Sequence, residues 1–139
     1  MTAGPDDYAE RASRAFNRRD VEAMLALVSE DFIYLDGWSI QIGREAMRKR
    51  EVALFEALPD AEITFSPFMV AEDRLALVGV LSGTFIAPLV LPERVIPPHG
   101  RHITVHFAAH FVFKDGLATH EEVFFDSAAL LSPAELGEG

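Results

Sequence analysis

The sequence predicts an α+β domain, with helices early in the chain and a bent antiparallel sheet after them. Three observations predict it. From Pro97 to Asp126 apolar residues alternate on both sides of Lys114-Asp115-Gly116-Leu117, and Asp-Gly between such runs signals a tight hairpin. The twelve residues 102–113 would extend roughly 40 Å as a strand, so in a small domain the strand must curve and give the sheet a concave face. Helical spacings come first and strand-like runs follow, without the strand–helix–strand alternation of a parallel sheet.

Pro5 can open a first helix, because Tyr8, Ala12, Ala15 and Phe16 recur at three- and four-residue spacing until Asn17-Arg18-Arg19. Asp20 suits the N-cap of a second helix, whose apolar stripe is Val21, Met24, Leu25 and Val28. A short strand, Phe32 to Leu35, stops at Asp36-Gly37, and Trp38-Ser39-Ile40 crosses over. Gly43 precedes a third helix reaching about Leu58, where Pro59-Asp60 ends it. From Ala61 the pattern is β: a strand to about Val70, the turn Ala71-Glu72-Asp73, then a strand from Arg74 to about Ile86. Gly79 and Gly83 there suggest bulges or bends. The segment 87–98 holds Pro88, Pro92, Pro97 and Pro98 and is expected as an irregular loop, long enough to cover a pocket mouth. The final hairpin follows, then a closing turn over Ser127–Leu131. Residues 1–139 form one domain with loose ends at 1–4 and 132–139.

Composition narrows the function. The chain has 22 acidic and 12 basic residues, a net charge of −10, which repels phosphate backbones and anionic lipids unless basic residues segregate. The one basic cluster, Arg44, Arg48, Lys49 and Arg50, is interleaved with Glu45 and Glu51 at helical spacing and reads as a solvated helix face. Neither nucleic acid nor a membrane is expected as a partner. There is no cysteine, no signal-like start and no apolar run of transmembrane length, so a cytoplasmic location is expected.

In the long strand Ile103, Val105, Phe107, Ala109, Phe111 and Phe113 share one face, and His102, Thr104, His106, Ala108, His110 and Val112 the other. The first set is expected to line the concavity. The histidines, four residues apart and thus roughly 13 Å along a strand, cannot hold one metal ion together; no metal and no cofactor are expected. Their short, uncharged face suits a homodimer contact.

Period two also places Phe32, Tyr34 and Asp36 on one face. An aspartate at an apolar rim can shuttle a proton, or simply form the Asp-Gly turn. Glu121 shares a face with Val123 and Phe125 and can be the carboxyl inside the sheet, unless a bulge turns it to water beside Glu122. Tyr34 and Trp38 near Asp36 fit an apolar organic ligand.

The run PPHGR, the long strand, KDG, and the strand ending in Asp126 before AALL resemble the C-terminal half of the SnoaL-like polyketide cyclases. These belong to the nuclear transport factor 2-like, ketosteroid isomerase-like superfamily. AFNRRDVEAMLALVSEDFIYLDG is similar to that superfamily's opening two helices and first strand. The resemblance implies a cone-shaped α+β barrel: three N-terminal helices on a strongly curved antiparallel sheet, enclosing a pocket. It also implies a general base at Asp36. The cyclases' acid/base position falls at Val123 here, and their supporting histidine, like the isomerases' protonated carboxyl, at Ala109. Neither residue can transfer a proton.

The expected site is therefore Asp36 and Glu121 for catalysis, with Tyr34, Trp38, Phe32, Phe107, Ala109, Phe111 and Val123 for substrate. The function expected is cofactor-independent proton transfer on a small hydrophobic carbonyl compound, polyketide- or steroid-like. The alternative is a non-catalytic hydrophobic-ligand binder or a dimeric interaction domain.

Overall fold

The computed structural model describes residues 4–131. The chain runs α1 (Tyr8–Asn17), α2 (Val21–Leu25), β1 (Val28–Leu35), β2 (Ile40–Ile42), α3 (Arg44–Ala57), β3 (Glu62–Val70), β4 (Arg74–Thr84), β5 (Leu89–Val90), β6 (Val95–Ile96), β7 (His102–Lys114) and β8 (Leu117–Phe125). A 3₁₀ turn, Ser127–Leu130, closes it. The Asp20 side chain caps α2 by accepting from the Ala23 N–H at 3.1 Å. α2 ends before Val28, which opens β1 instead of extending the helix stripe. The segment 87–98, expected to be irregular, contains the β5–β6 hairpin. The expected loose ends fall on residues outside the described range, apart from Gly4.

Six strands form one sheet in the order β2-β1-β8-β7-β4-β3. Its neighbours are antiparallel except β1 and β8, which run parallel. This corrects the all-antiparallel expectation: β8 returns alongside β1 after the whole sheet has been traversed. The expected barrel does not close, because β2 and β3 are free edges. Both central residues of the β7–β8 turn have the positive φ its sequence demands, Asp115 at 53° and Gly116 at 80°.

Gly79 and Gly83 are not bulges. Both pair in continuous register with β7, and their lack of a side chain serves close approach instead. A Cβ on Gly79 would sit 2.2 Å from Cζ of Phe107, its cross-strand partner, and one on Gly83 would sit 2.9 Å from Leu58 Cδ2. The irregularities lie elsewhere. Between Val112↔His120 and Phe113↔Ala118 the ladder slips by Thr119. That slip lets Ala118 and then Glu121, Val123 and Phe125 all face inward, reversing the parity along β8.

The odd-numbered face of β7 packs inward and the histidine face outward, as its alternation requires. α1 lies across the concave side, with Tyr8 against Phe111 (centroids 4.8 Å) and Phe113 (5.4 Å). Asn17 pins the end of α1 to the β3 edge: its amide donates to the Ile63 carbonyl at 3.0 Å and its Oδ1 accepts from the Ile63 N–H at 2.8 Å. Helices and sheet thus form a cup with its floor on β7 and β8.

Candidate functional site

A cavity of about 200 Å³ lies between the inner face of the sheet and the helices. It exceeds the roughly 150 Å³ of an engineered cavity that accepts benzene. Its wall is mostly apolar, with Phe16, Ile63, Phe65, Val105, Phe107 and Phe125 among the residues present. Leu89 of β5 and Leu91 of the β5–β6 turn also line it. The Arg94 guanidinium stacks over the Trp38 ring at 4.6 Å, and Trp38 meets Phe125 edge-on at 5.2 Å.

One end of the cavity is polar. Met47, Arg50, Glu51 and Leu54 project into it from α3, a face repeating at i, i+3, i+4 and i+7. Arg50 therefore departs from the solvated face expected of its cluster. Lys49 is exposed and Arg48 pairs with Glu22 and Glu45 at the surface, whereas the Arg50 side chain is only 13% exposed. Helical phase rather than charge decides which way it points.

The Arg50 guanidinium lies 3.6 Å from the centroid of the Tyr34 ring. Its Nη2 donates to Glu51 Oε1 at 3.2 Å and stands 4.0 Å from Glu121 Oε1, beyond hydrogen-bond reach. Its Nη1 is buried with no acceptor among the described residues. Burial opposes the Arg50 charge, but Glu51, Tyr34 and Glu121 outweigh it and hold the group protonated. Burial pushes the Glu51 carboxyl up, against the opposing pull of Arg50.

Glu121 faces inward on β8, paired across the ladder with Phe111, and its side chain is 16% exposed. Burial raises its carboxyl to about 7; Arg50 opposes the rise, and Glu51 and Asp36 add to it. Burial likewise pushes the Tyr8 and Tyr34 hydroxyls well above the usual phenol range. Both tyrosines line the cavity as proton donors.

Asp36 also lines the cavity. Its Oδ2 accepts from the Tyr34 hydroxyl at 2.7 Å, and its Oδ1 from the backbone N–H groups of Trp38 (2.7 Å) and Ser39 (2.9 Å). It thus forms the Asp-Gly turn and orients Tyr34 at once. Of the expected site residues, Asp36, Glu121, Tyr34, Trp38, Phe107, Phe111 and Val123 converge on the cavity. Phe32 and Ala109 do not reach it: both are buried, Phe32 in the core under β1, and Ala109 too short between Phe107 and Phe111. Sequence reasoning missed Tyr8, Arg50 and Glu51. The signal that could have found the α3 pair was the Met47–Arg50–Glu51–Leu54 stripe, where two charges interrupt an otherwise apolar face.

His102 and His106 are exposed on the outer face, and His110 Nε2 lies 3.3 Å from Arg74 Nη1. No helix among the described residues is long and apolar enough to cross a membrane.

The profile of the family described as SnoaL-like domain matches residues 9–121. No curated protein matches the chain. Solved structures similar to it include AclR, a candidate hydroxylase from Streptomyces galilaeus. The two are 20% identical over 97% of this chain and 96% of that one, with a TM-score of 0.75. A candidate polyketide cyclase from Xanthomonas campestris is 21% identical over 89% and 91%, with a TM-score of 0.76. TerC, co-crystallised with polyporic acid, is 20% identical over 97% and 98%, with a TM-score of 0.73. At these identities the likeness is one of fold.

Proposed function

The chain belongs to the SnoaL-like domain family, and from that premise we propose that it is a cofactor-independent proton-transfer enzyme of the cyclase or isomerase type. Its substrate is a small hydrophobic carbonyl compound. The observation that carries this reading is the placement of Glu121 4.0 Å from Arg50 at the polar end of an apolar cavity. A carboxyl at about 7 is divided between base and acid at neutral pH, the condition in which one group can take a proton and return it.

In the forward step the Glu121 carboxylate takes the proton from a carbon next to the substrate carbonyl. The C–H electrons move into the carbonyl, whose oxygen becomes an enolate facing the Arg50 guanidinium and the Tyr8 hydroxyl. Glu121 then returns the proton at another carbon, or the enolate carbon attacks a second carbonyl of the same molecule. In that attack the π electrons of the second carbonyl move to its oxygen, and that oxygen takes the proton from Glu121. Asp36, with its oxygens occupied by three donors, acts by positioning Tyr34. The substrate proton goes to Glu121.

The test is solvent exchange at the α-carbon of an apolar ketone such as 2-indanone, followed by proton NMR in D₂O. Wild-type protein should accelerate exchange, and Glu121→Gln should cost about a hundredfold or more. Asp36→Asn and Tyr34→Phe should each cost less, and their double variant no more than the worse single. Exchange that survives Glu121→Gln unchanged would remove the reading. Saturable binding of 2-indanone without exchange would favour the non-catalytic binder.

The outer sheet face supports a homodimer. Val78, Ala108 and Phe124 form one row across β4, β7 and β8, beside the histidines, and Val78 and Phe124 are 48% and 61% exposed. Two copies meeting here would cover that row.

A further inference from the structure

The donors of Arg50 are underused. A guanidinium carries five N–H donors and no acceptor, yet among the described residues its one hydrogen bond goes to Glu51. Nη1 is buried without an acceptor, and the nearest oxygen of Glu121 stops at 4.0 Å. Such a buried donor is costly to leave unmade and calls for an explanation. The group is also held for a purpose. The contact with Tyr34 and the bond to Glu51 hold the guanidinium in place at the cavity wall, which leaves its remaining donors for an oxygen acceptor.

From this geometry we infer that the cavity takes an apolar ring compound bearing an acidic oxygen pair, a carboxylate or an enolised 1,3-dicarbonyl. One oxygen lies on the Arg50 guanidinium and the other accepts a hydrogen bond from the protonated Glu121 carboxyl. The inference rests on the proton-transfer reading of the same site and narrows its substrate class to an anion that meets Glu121 in its protonated form. That is the half of the reaction in which Glu121 gives its proton to carbon. A neutral ketone fills one of these two positions; an anion with two oxygens fills both. The ring meets Phe107, Phe125 and Val123, apolar residues that also line the cavity.

Binding of this anion is coupled to a proton. The charged and titratable groups facing Glu121 are Arg50 and Glu51 on α3, Tyr8 on α1, Tyr34 on β1 and Asp36 beyond it. With two carboxylates already close, an anionic ligand is accepted only when Glu121 carries its proton. At pH 6 that proton is present before the ligand arrives. At pH 8 it must be taken up from solvent, so affinity falls as pH rises through about 7.

The experiment is calorimetric titration of the full chain with two matched pairs: 2-naphthoate against 2-naphthamide, and 2-phenyl-1,3-indanedione, an anion at both pH values used, against 2-phenyl-1-indanone. Runs at pH 6 and pH 8 use buffers of different ionisation enthalpy, so that proton uptake is counted. We expect the anionic member of at least one pair to bind about tenfold or more tighter than its neutral partner at pH 6. Uptake should approach one proton at pH 8 and vanish at pH 6. The pair that shows it separates the carboxylate from the enol. Glu121→Gln should keep the affinity for the anion and lose its pH dependence, and Arg50→Lys should lose the preference. Neutral members binding equally or better, anion affinity independent of pH in the wild type, or no binding of any probe at millimolar concentration would each overturn the inference. A preference for the anion without any α-carbon exchange of 2-indanone would sink the proton-transfer reading and leave the ligand class standing.

Discussion

The Arg50 guanidinium lies over the Tyr34 ring, its Cζ 3.6 Å from the centroid, while its Nη2 holds the buried Glu51. The contact ties α3 to β1 through the cavity. A desolvated cation over an aromatic face contributes about 2 kcal/mol, and breaking a buried ion pair from one side costs about 3–5 kcal/mol because the other charge is stranded. Arg50→Met should therefore destabilise the fold by about 3 kcal/mol in urea denaturation. Replacing both partners, as Arg50→Met with Glu51→Leu, should recover most of the loss. A single variant as stable as the wild type would contradict the packing described.

The Glu121 carboxyl makes stability depend on pH in an unusual direction for an acidic residue. Its folded value, about 7, stands above the ordinary 4.5, so the native state holds a proton that the unfolded chain has released. The stabilising effect is complete below about 4.5 and is lost as pH rises through about 7. Burial raises Glu51 as well, which adds a slope of the same sign. Glu121→Gln should match the wild type near pH 5 and exceed it at pH 8 by roughly 3 kcal/mol. Equal stabilities at both pH values would rule out the raised carboxyl.

Gly79 gives Phe107 its place in the cavity wall. Because an added Cβ would overlap the ring, Gly79→Ala must displace Phe107 or bend β4, at about 1–3 kcal/mol. Phe107→Ala in the same chain should relieve the strain, so the double variant should lose less than the two single losses combined. Strict additivity would show that the two positions do not touch.

A homodimer built on the Val78–Ala108–Phe124 row buries Phe124, the most exposed residue of the three. Sedimentation velocity at micromolar concentration and pH 7.5 should show a dimer for the wild type and a monomer for Phe124→Glu. A wild-type monomer at pH 7.5 ends the dimer claim.

Much of the fold was legible because it rests on short-range rules. The Asp115-Gly116 turn, the Asp20 cap and the parity of β7 each follow from local chemistry or from period two. The parallel pairing of β1 with β8 was not legible, since it joins strands at opposite ends of the chain and leaves no mark in either. Glu121 shows where a local rule meets its limit. Its inward direction depends on the slip at Thr119, which alternation alone cannot place. Arg50 was misread because four cations in one stretch were treated as one surface, although its helical phase matches Met47 and Leu54. The Asp36 turn was legible, but its hold on Tyr34 needed coordinates, because a two-residue spacing fixes a face and not a hydrogen bond.

The account turns on a single carboxyl being poised near neutrality beside Arg50. Carbon-13 NMR of the side-chain carboxyl carbons, with Glu121 assigned by its absence in Glu121→Gln, titrates that group directly. The account predicts a midpoint at about 7 for Glu121, moving upward in Arg50→Met because the opposing guanidinium is gone. A midpoint at the ordinary 4.5 would contradict it, since Glu121 would then be fully ionised at neutral pH.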